Sequence, residues 1–493
     1  MPPAHLALHP DRRQSGRVLP FLLVIITFAG LGSLGAWFML RKSGEGAVPR
    51  FPGANVIFIS IDTLRRDALG VYSGDPALSP HIDKLAKECV IFDDAIAAAN
   101  NTGPSHASMF TGVSTAVHGV LNTKTKKVQA IPTSLQTLAE RLKTSGYATF
   151  ARMDGGYMSA ALGFDRGFED FKSVYSGLEK KAGEAMKWFD NISTNSISNK
   201  KSAFCFLHTY EAHSPYLSSP RNIDNVLKPY KNSLVAKRMM EIAHGEMQLY
   251  EGQELLFRDW KNKFKPEDFA ALKGLYRECV RMADASVNSF IEGLRKSNIL
   301  DKSILIITSD HGEEFGEHGG TQHEEVWEEL LRVPLLIRLP GAALAGTHVP
   351  HAFSGIDLMP TLLDLLGMER PTHIEGRSHL SHFSGGPNLN QIAFAHHTIQ
   401  DALVGDVARA SNWKLYEIAD RPRGKRIFNL TGDQAERQNL VNSNPPEAQP
   451  LSDALKMHRA VRKAMGEYYD SGRTSGELDG KLLDDLRGLG YLK

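Results

Sequence analysis

Cysteine is scarce in this chain: Cys89, Cys205 and Cys279 are the whole supply. An odd count with no CxxC pair excludes a disulfide framework and zinc-ribbon spacing. Each has apolar neighbours (Val90-Ile91-Phe92, Phe204 and Phe206, Val280), so each is expected to be a buried small hydrophobe. An excess of one charge is lacking too. The 57 Lys and Arg against 56 Asp and Glu leave +1, with no electrostatic footprint for nucleic acid. Nothing recurs at a fixed period, which excludes a solenoid. Long apolar runs are absent but for one, residues 18–40. As a helix it would span ~34 Å, enough for a bilayer core. Its flanks are basic on both sides (Arg12, Arg13, Arg17; Arg41, Lys42), so charge barely orients it. It exceeds the usual h-region of about 7–15 residues and lacks a well-formed cleavage pair near Ser33 and Gly35. A single-pass signal anchor is therefore expected over a cleaved signal peptide.

What is present is an ordinary globular composition, 42% hydrophobic over 493 residues, enough for one large core and a smaller unit. After a tail (1–17), the anchor (18–40) and a Gly/Ser/Pro-containing linker (41–52), apolar β-branched runs alternate with helical periodicity. Strands are expected at Asn55–Ile61, Val90–Ile96, Tyr147–Arg152, Ala203–Leu207, Ser303–Ser309 and Pro334–Arg338. Ser79-Pro80 opens a helix in the favoured cap arrangement. Thr133-Ser134-Leu135-Gln136 reads as a capping box. Phe269, Leu272, Tyr276, Cys279, Ala283, Val287, Phe290 and Leu294 mark a long amphipathic helix. Residues 217–265, charged and irregular, are expected to be a helical insertion over the site. From about residue 381 short strands (Ile392–Phe394, Trp413–Ile418, Arg426–Leu430) replace the alternation, and a charged helix is expected at the C-terminus. The fold class is α/β: a doubly wound, mostly parallel sheet (53–380) with a smaller C-terminal α+β subdomain containing an antiparallel sheet (381–493).

Two of those strands end on carboxylates. Asp62 follows Asn55–Ile61, and Asp310-His311-Gly312 follows Ser303–Ser309 about 250 residues later. Thr102 stands just before Gly103-Pro104, at the start of a helix. Carboxyl ends of parallel strands are where α/β sheets build their sites. Two carboxylates, an imidazole and a hydroxyl form a mostly hard donor set for one divalent ion, with Ca²⁺, Mn²⁺, Mg²⁺ and Zn²⁺ undistinguished. The hydroxyl supplies a nucleophile, because a metal and a helix N-terminus both lower its pKa.

These motifs, in this order, resemble the sulfatase family of the alkaline phosphatase superfamily. The resemblance extends to His208-Thr209-Tyr210-Glu211-Ala212-His213-Ser214-Pro215-Tyr216, to Gly316-Glu317-His318-Gly319, to Arg332-Val333-Pro334-Leu335-Leu336-Ile337 and to the segment Phe428–Leu440. It implies Asp62, Thr102, Asp310 and His311 as metal ligands, Thr102 as nucleophile, and His213 and His323 as proton donors or oxyanion clamps. His106 and Arg65 are further substrate contacts by position, whereas His118 fits a structural turn. The chain departs from the sulfatases proper at one decisive point. Their Cys/Ser-x-Pro-x-Arg becomes Thr102-Gly103-Pro104-Ser105-His106, so neither the aldehyde precursor nor the arginine is present. The Gly-Lys-Trp-His-type segment is missing as well: Ala148-Thr149-Phe150-Ala151-Arg152-Met153-Asp154 stands there. A threonine nucleophile resembles the phosphoryl-transferring relatives, so phosphate mono- or diester hydrolysis is the expected reaction. Sulfate ester hydrolysis, lipid-headgroup phosphotransfer, and an inactive binding module that kept the fold are the alternatives. The expected substrate is an ester of a small molecule, lipid headgroup or glycan. It would be met extracytoplasmically (in the periplasm, if the source is Gram-negative), since catalytic domains of the family are usually exported.

Overall fold

A computed structural model describes residues 48–123, 127–194, 202–248, 252, 256–257, 263–385, 391–400, 402–410, 412–418, 424–477 and 480. The expected anchor at 18–40 lies outside them, as does the end of the expected C-terminal helix. Among the described residues no helix is long and apolar enough to cross a membrane.

Within residues 49–493 the core is an eight-stranded sheet. Its strands in chain order are β1 (Asn55–Ile61), β2 (Val90–Phe92), β3 (Ala148–Met153), β4 (Asp170–Ser173), β5 (Ala203–Thr209), β6 (Ser303–Thr308), β7 (Leu335–Arg338) and β8 (His348–Val349). They lie in the order β8-β2-β7-β6-β1-β5-β3-β4. Only β7 runs against its neighbours; β1 pairs in parallel with both β5 and β6. Being central, β1 is apolar on both faces, as a strand covered on both sides must be. Ile57, Ile59 and Ile61 join the core beneath the long helix α3 (Pro266–Lys296). Phe58 points the other way, 6.3 Å from Phe110 of α1 (Thr102–Thr111) and 4.9 Å from Phe206 of β5. Alternation then carries Ser60 and Asp62 to the α1 side. The register sets Ser60 beside both His208 and Thr308.

Helices thus cover both faces, and α2 (Leu178–Thr194) packs beside α3. The expected run Val90–Ile96 is not one strand. β2 joins the large sheet, while Ala95–Ile96 pairs with Arg332–Val333 and Phe353–Ser354, because Asp93 and Asp94 interrupt the ladder to meet basic groups. The expected capping box begins too early. The helix is Leu138–Thr144, capped by Thr137 with Glu140 at the reciprocal position, whereas Thr133 and Ser134 bond to Gly472 and Tyr469 carbonyls instead. In the 217–265 stretch, helices Pro220–Leu227 and Leu234–Ala243 bury Ile223, Leu227, Val235 and Met239 in the α3 core.

The antiparallel sheet is β9 (Ala393–Ile399), β10 (Ala402–Ala410), β11 (Trp413–Ile418) and β12 (Arg426–Asn429), with α4 (Ala448–Tyr469) across it. β10 was not legible in sequence, since Gly405, Asp406 and Arg409 break its apolar pattern. Asp406 and Arg409 are buried all the same, the former by Arg459 and Arg462, the latter by Asp94 and Glu328. All three cysteines are free and buried; burial pushes the Cys89 thiol up to about 12, so they are inert packing groups.

Candidate active site and metal centre

The loop after β1 brings Asp62 to the carboxyl edge and holds it there. Its amide donates to Thr209 O at 2.9 Å. Thr63 adopts φ 56°, a region a β-branched residue enters only when its surroundings compel it. The compulsion is visible: Thr63 Oγ1 donates to Ala212 O (2.9 Å), Leu64 N to Ser309 Oγ (2.9 Å), and Tyr276 OH to Thr63 O (3.0 Å). The β1 loop is therefore stitched to the loops after β5 and β6.

Thr102 is the first residue of α1 and is fully buried. Gly103 follows because a Cβ would lie 2.8 Å from Asn122 Oδ1, which accepts from the Gly103 amide. One turn on, Ser105 Oγ donates to Asp310 O at 2.7 Å, tying α1 to the β6 loop. Gly312 is required there, since a Cβ would lie 1.9 Å from Glu329 O.

Asp62, Asp310 and His311 offer donor atoms all within 4.8 Å of one another, the one such group among the described residues. Thr102 Oγ1 lies 3.5 Å from His311 Nε2. Asp62 Oδ1 and Asp310 Oδ2 are buried with no hydrogen-bond partner, a costly arrangement unless a cation receives them. His311 Nδ1 lies 2.9 Å from Gly312 O and so carries the proton, leaving Nε2 as a ligand lone pair. Burial, then the charge of Asp310, raises Asp62 well above the carboxylate range. Asp310 is lowered: burial would raise it, but the imidazoles of His311, His106 and His208 prevail. Two carboxylates, one imidazole and one hydroxyl fit one divalent ion in charge and in donor type.

His213 and His323 are brought to the same place. The His311 and His323 rings are 4.4 Å apart, and those of His323 and His213 5.4 Å. Burial pushes both His213 and His323 down to about 4, with His323 assisting for His213. His106 joins the cluster in a supporting position. Its Nδ1 meets Thr102 O and its Nε2 meets Ser60 Oγ, each at 2.9 Å, so both ring nitrogens are committed within the protein. Arg65 is likewise committed, to Asp67, Glu317 and the Glu313 carbonyl. His118 is structural as expected, bonded to Ser108 and Val120.

Three further residues were not singled out from sequence. His208 is buried in β5 with Nε2 3.3 Å from Asp62 Oδ2; its signals were an imidazole inside a mostly apolar strand and its place at the head of the His208–Tyr216 segment. Glu313 is fully buried, accepts from Tyr216 OH at 2.8 Å, and lies 3.2 Å from His323 Nδ1. Burial pushes its carboxyl up to about 7. Tyr210 packs edge-on against His208, its amide held by Asp154, which Lys181 neutralises.

The chain was compared with known proteins. The family profile described as Sulfatase matches residues 54–368, and one described as N-sulphoglucosamine sulphohydrolase, C-terminal, matches residues 316–463. An ulvan-active sulfatase of Formosa agariphila is 26% identical over 445 residues, covering 84% of this chain and 82% of that one. An N-acetylglucosamine-6-O-sulfatase of Bacteroides thetaiotaomicron is 25% identical over 398 residues, covering 66% and 70%. Among solved structures, BT4656 in complex with D-glucosamine-2-N,6-O-disulfate superposes with a TM-score of 0.67 at 20% identity, covering 83% and 98%. The phosphonate monoester hydrolase of Agrobacterium radiobacter gives 0.62 at 19%, covering 84% and 96%. Matched by the Sulfatase profile over more than half of its length, this chain belongs to the sulfatase family of the alkaline phosphatase superfamily, enzymes that hydrolyse ester bonds.

Proposed function

We propose that the chain hydrolyses sulfate esters carried by a glycan, with Thr102 as nucleophile beside one divalent ion. The observation that carries this reading is the convergence of Thr102 with Asp62, Asp310 and His311 in a fold several of whose relatives are named for sulfated sugars. Those names support sulfate over the phosphate ester that Thr102 alone suggests, and nothing among them supports a phosphodiester. The ion held by these four residues would supply charge neutralisation for the ester oxygens and a lower pKa for the threonine hydroxyl. Thr102 Oγ then attacks sulfur, the S–O bond to the sugar breaks, and the departing oxygen takes a proton. Water attacks the same sulfur, releasing sulfate and restoring the hydroxyl. His323 lies 3.2 Å from the Glu313 carboxyl, which burial raises to about 7 while the imidazole is lowered to about 4, so the proton rests on the carboxyl and reaches the departing oxygen through His323. His213 turns Nδ1 to Ser214 O at 2.7 Å, which leaves Nε2 as acceptor.

A second reading rests on Thr102 itself. A simple alkoxide attacks phosphorus readily, and a phosphonate monoester hydrolase shares the fold. Purified protein assayed with manganese on aryl sulfate, aryl phosphate, bis-aryl phosphate and aryl phosphonate separates the two. Sulfatase activity lost in Thr102→Ala supports the first. Phosphate or phosphonate turnover without sulfate turnover establishes the second, and silence on all four with metal bound would leave a binding module.

We further propose that residues 18–40 anchor the chain as a single-pass helix with the catalytic unit extracytoplasmic, on the strength of an uncharged run with basic flanks. Carbonate-resistant membrane association, with digestion of the unit by protease added to spheroplasts, supports this. A protected unit or a mature N-terminus near Trp37 would refute it.

A further inference from the structure

A cavity of about 440 Å³ opens between the catalytic loops and the antiparallel sheet, lined by four arginines, Arg65, Arg66, Arg332 and Arg409, with a rim that includes Asn412 and Thr431. None of Asp62, Thr102, Asp310 or His311 lines it. Two of its arginines are neutralised. Arg65 is matched by Asp67 and Glu317, and Arg409 grips both oxygens of Asp94 (2.8 and 2.9 Å) and meets Glu328. The carboxylates in the lining are largely spent in the same way, with Glu329 3.6 Å from His318.

The other two arginines are less fully matched. Arg332 donates one Nη to Asp93 O at 2.9 Å and shares Asp94 with Arg409; its Nε lies 3.2 Å from Asp94 Oδ1 yet makes no hydrogen bond. Arg66 makes no ion pair among the described residues, and its Nε is sealed from solvent without a hydrogen-bond partner. Its guanidinium lies 4.3 Å over the Tyr72 ring, which fixes its plane. Burial, then the charge of Arg332, lower its pKa, and the nearby charges of Asp93 and Asp94 offset this only in part. A half-buried guanidinium, oriented by a ring and lining the same cavity as a second one, is unfavourable by itself and becomes favourable once an anion bridges the pair. Planar forks of this kind recognise tetrahedral oxyanions and carboxylates. The exposed rim of Thr431, Asn412 and Gln434 adds neutral donors and acceptors of the sort that meet sugar hydroxyls.

We infer that this cavity is a second binding site, taking an oxyanion (sulfate, phosphate or carboxylate), free or borne by a sugar, on Arg66 and Arg332. The inference stands apart from the sulfate-ester reading, because it uses none of the catalytic residues.

The test is calorimetric titration of sodium sulfate and of sodium glucuronate into the full chain in EDTA. There the metal-free catalytic site, with its paired carboxylates, repels anions. Saturable binding of either probe is expected, weakened at least tenfold in Arg66→Ala and partly in Arg66→Lys, which keeps the charge but loses the fork. Sulfate binding indicates a free oxyanion, and binding of glucuronate alone a sugar-borne one. Sulfate or glucuronate should raise the Tm of the parent and not of Arg66→Ala, whose Tm without anion should equal or exceed the parent's. No binding by the parent, unchanged binding by Arg66→Ala, or a Tm loss in that variant that is the same with and without anion would overturn the inference.

Discussion

Asp62→Asn should make the metal-free protein more stable, even though it removes one of the carboxylates proposed to hold the metal. Both carboxylates are completely buried, and their donor oxygens lie no more than 4.8 Å apart. At an effective dielectric of ~20, two unit charges at that separation repel by about 3.5 kcal/mol. Part of this is already relieved because burial and Asp310 raise the Asp62 pKa, so about 3 kcal/mol is the ceiling. The amide keeps the side chain's shape and its contact with His208. For a unit of this size, ~1 kcal/mol moves Tm by roughly 1–2 °C, so scanning calorimetry in EDTA should show a rise of about 2–5 °C. With manganese at a thousand times its dissociation constant, the parent gains about 4 kcal/mol. The variant gains far less, and the order of stability inverts. The sign with pH follows from the raised pKa: as pH falls, Asp62 takes up a proton, repulsion disappears, and the parent catches up with the variant in EDTA. An Asp62→Asn protein less stable than the parent in EDTA at neutral pH, or equally stabilised by manganese, would refute the reasoning.

Thr102→Ala should cut turnover by at least about 10³-fold while manganese still raises Tm, whereas Asp310→Ala should lose both the activity and that rise. Gly312→Ala places a methyl 1.9 Å from Glu329 O and should cost about 2–4 kcal/mol in urea unfolding; a silent substitution would show that the loop can shift freely. Asp154 and Lys181 form a buried pair that also bonds the Tyr210 amide, so Lys181→Met should destabilise by about 3–5 kcal/mol, with much of the loss recovered in Asp154→Asn/Lys181→Met. Asp406 is held below the usual carboxylate range: burial opposes this, but His396 and Arg462 outweigh it. A depressed folded pKa means stability present above the ordinary Asp value and lost below it, so Asp406→Asn should flatten the decline in Tm under about pH 4.

The sequence alone determined the alternating α/β order, the strand-end placement of Asp62 and Asp310-His311, and the hydroxyl at the start of α1. These are local patterns: a β-branched run closed by a carboxylate, and a Gly-Pro helix start, are both written in neighbouring residues. The long helix α3 was legible for the same reason, its apolar stripe recurring at helical spacing from Phe269 to Leu294. Only the tertiary structure decided which polar residues converge on the candidate metal site and which support it. His106 and His323 are both imidazoles in polar motifs. Packing commits both nitrogens of one to Ser60 and Thr102, and sets the other between Glu313 and His311. His208 and Glu313 reach the site through strand register and loop folding over separations of 146 and 10 residues from their partners. Strand β10 was hidden because Asp406 and Arg409 are buried by partners 56 and 315 residues distant. Burial of charge is a property of such long-range pairs, and no local window contains both members.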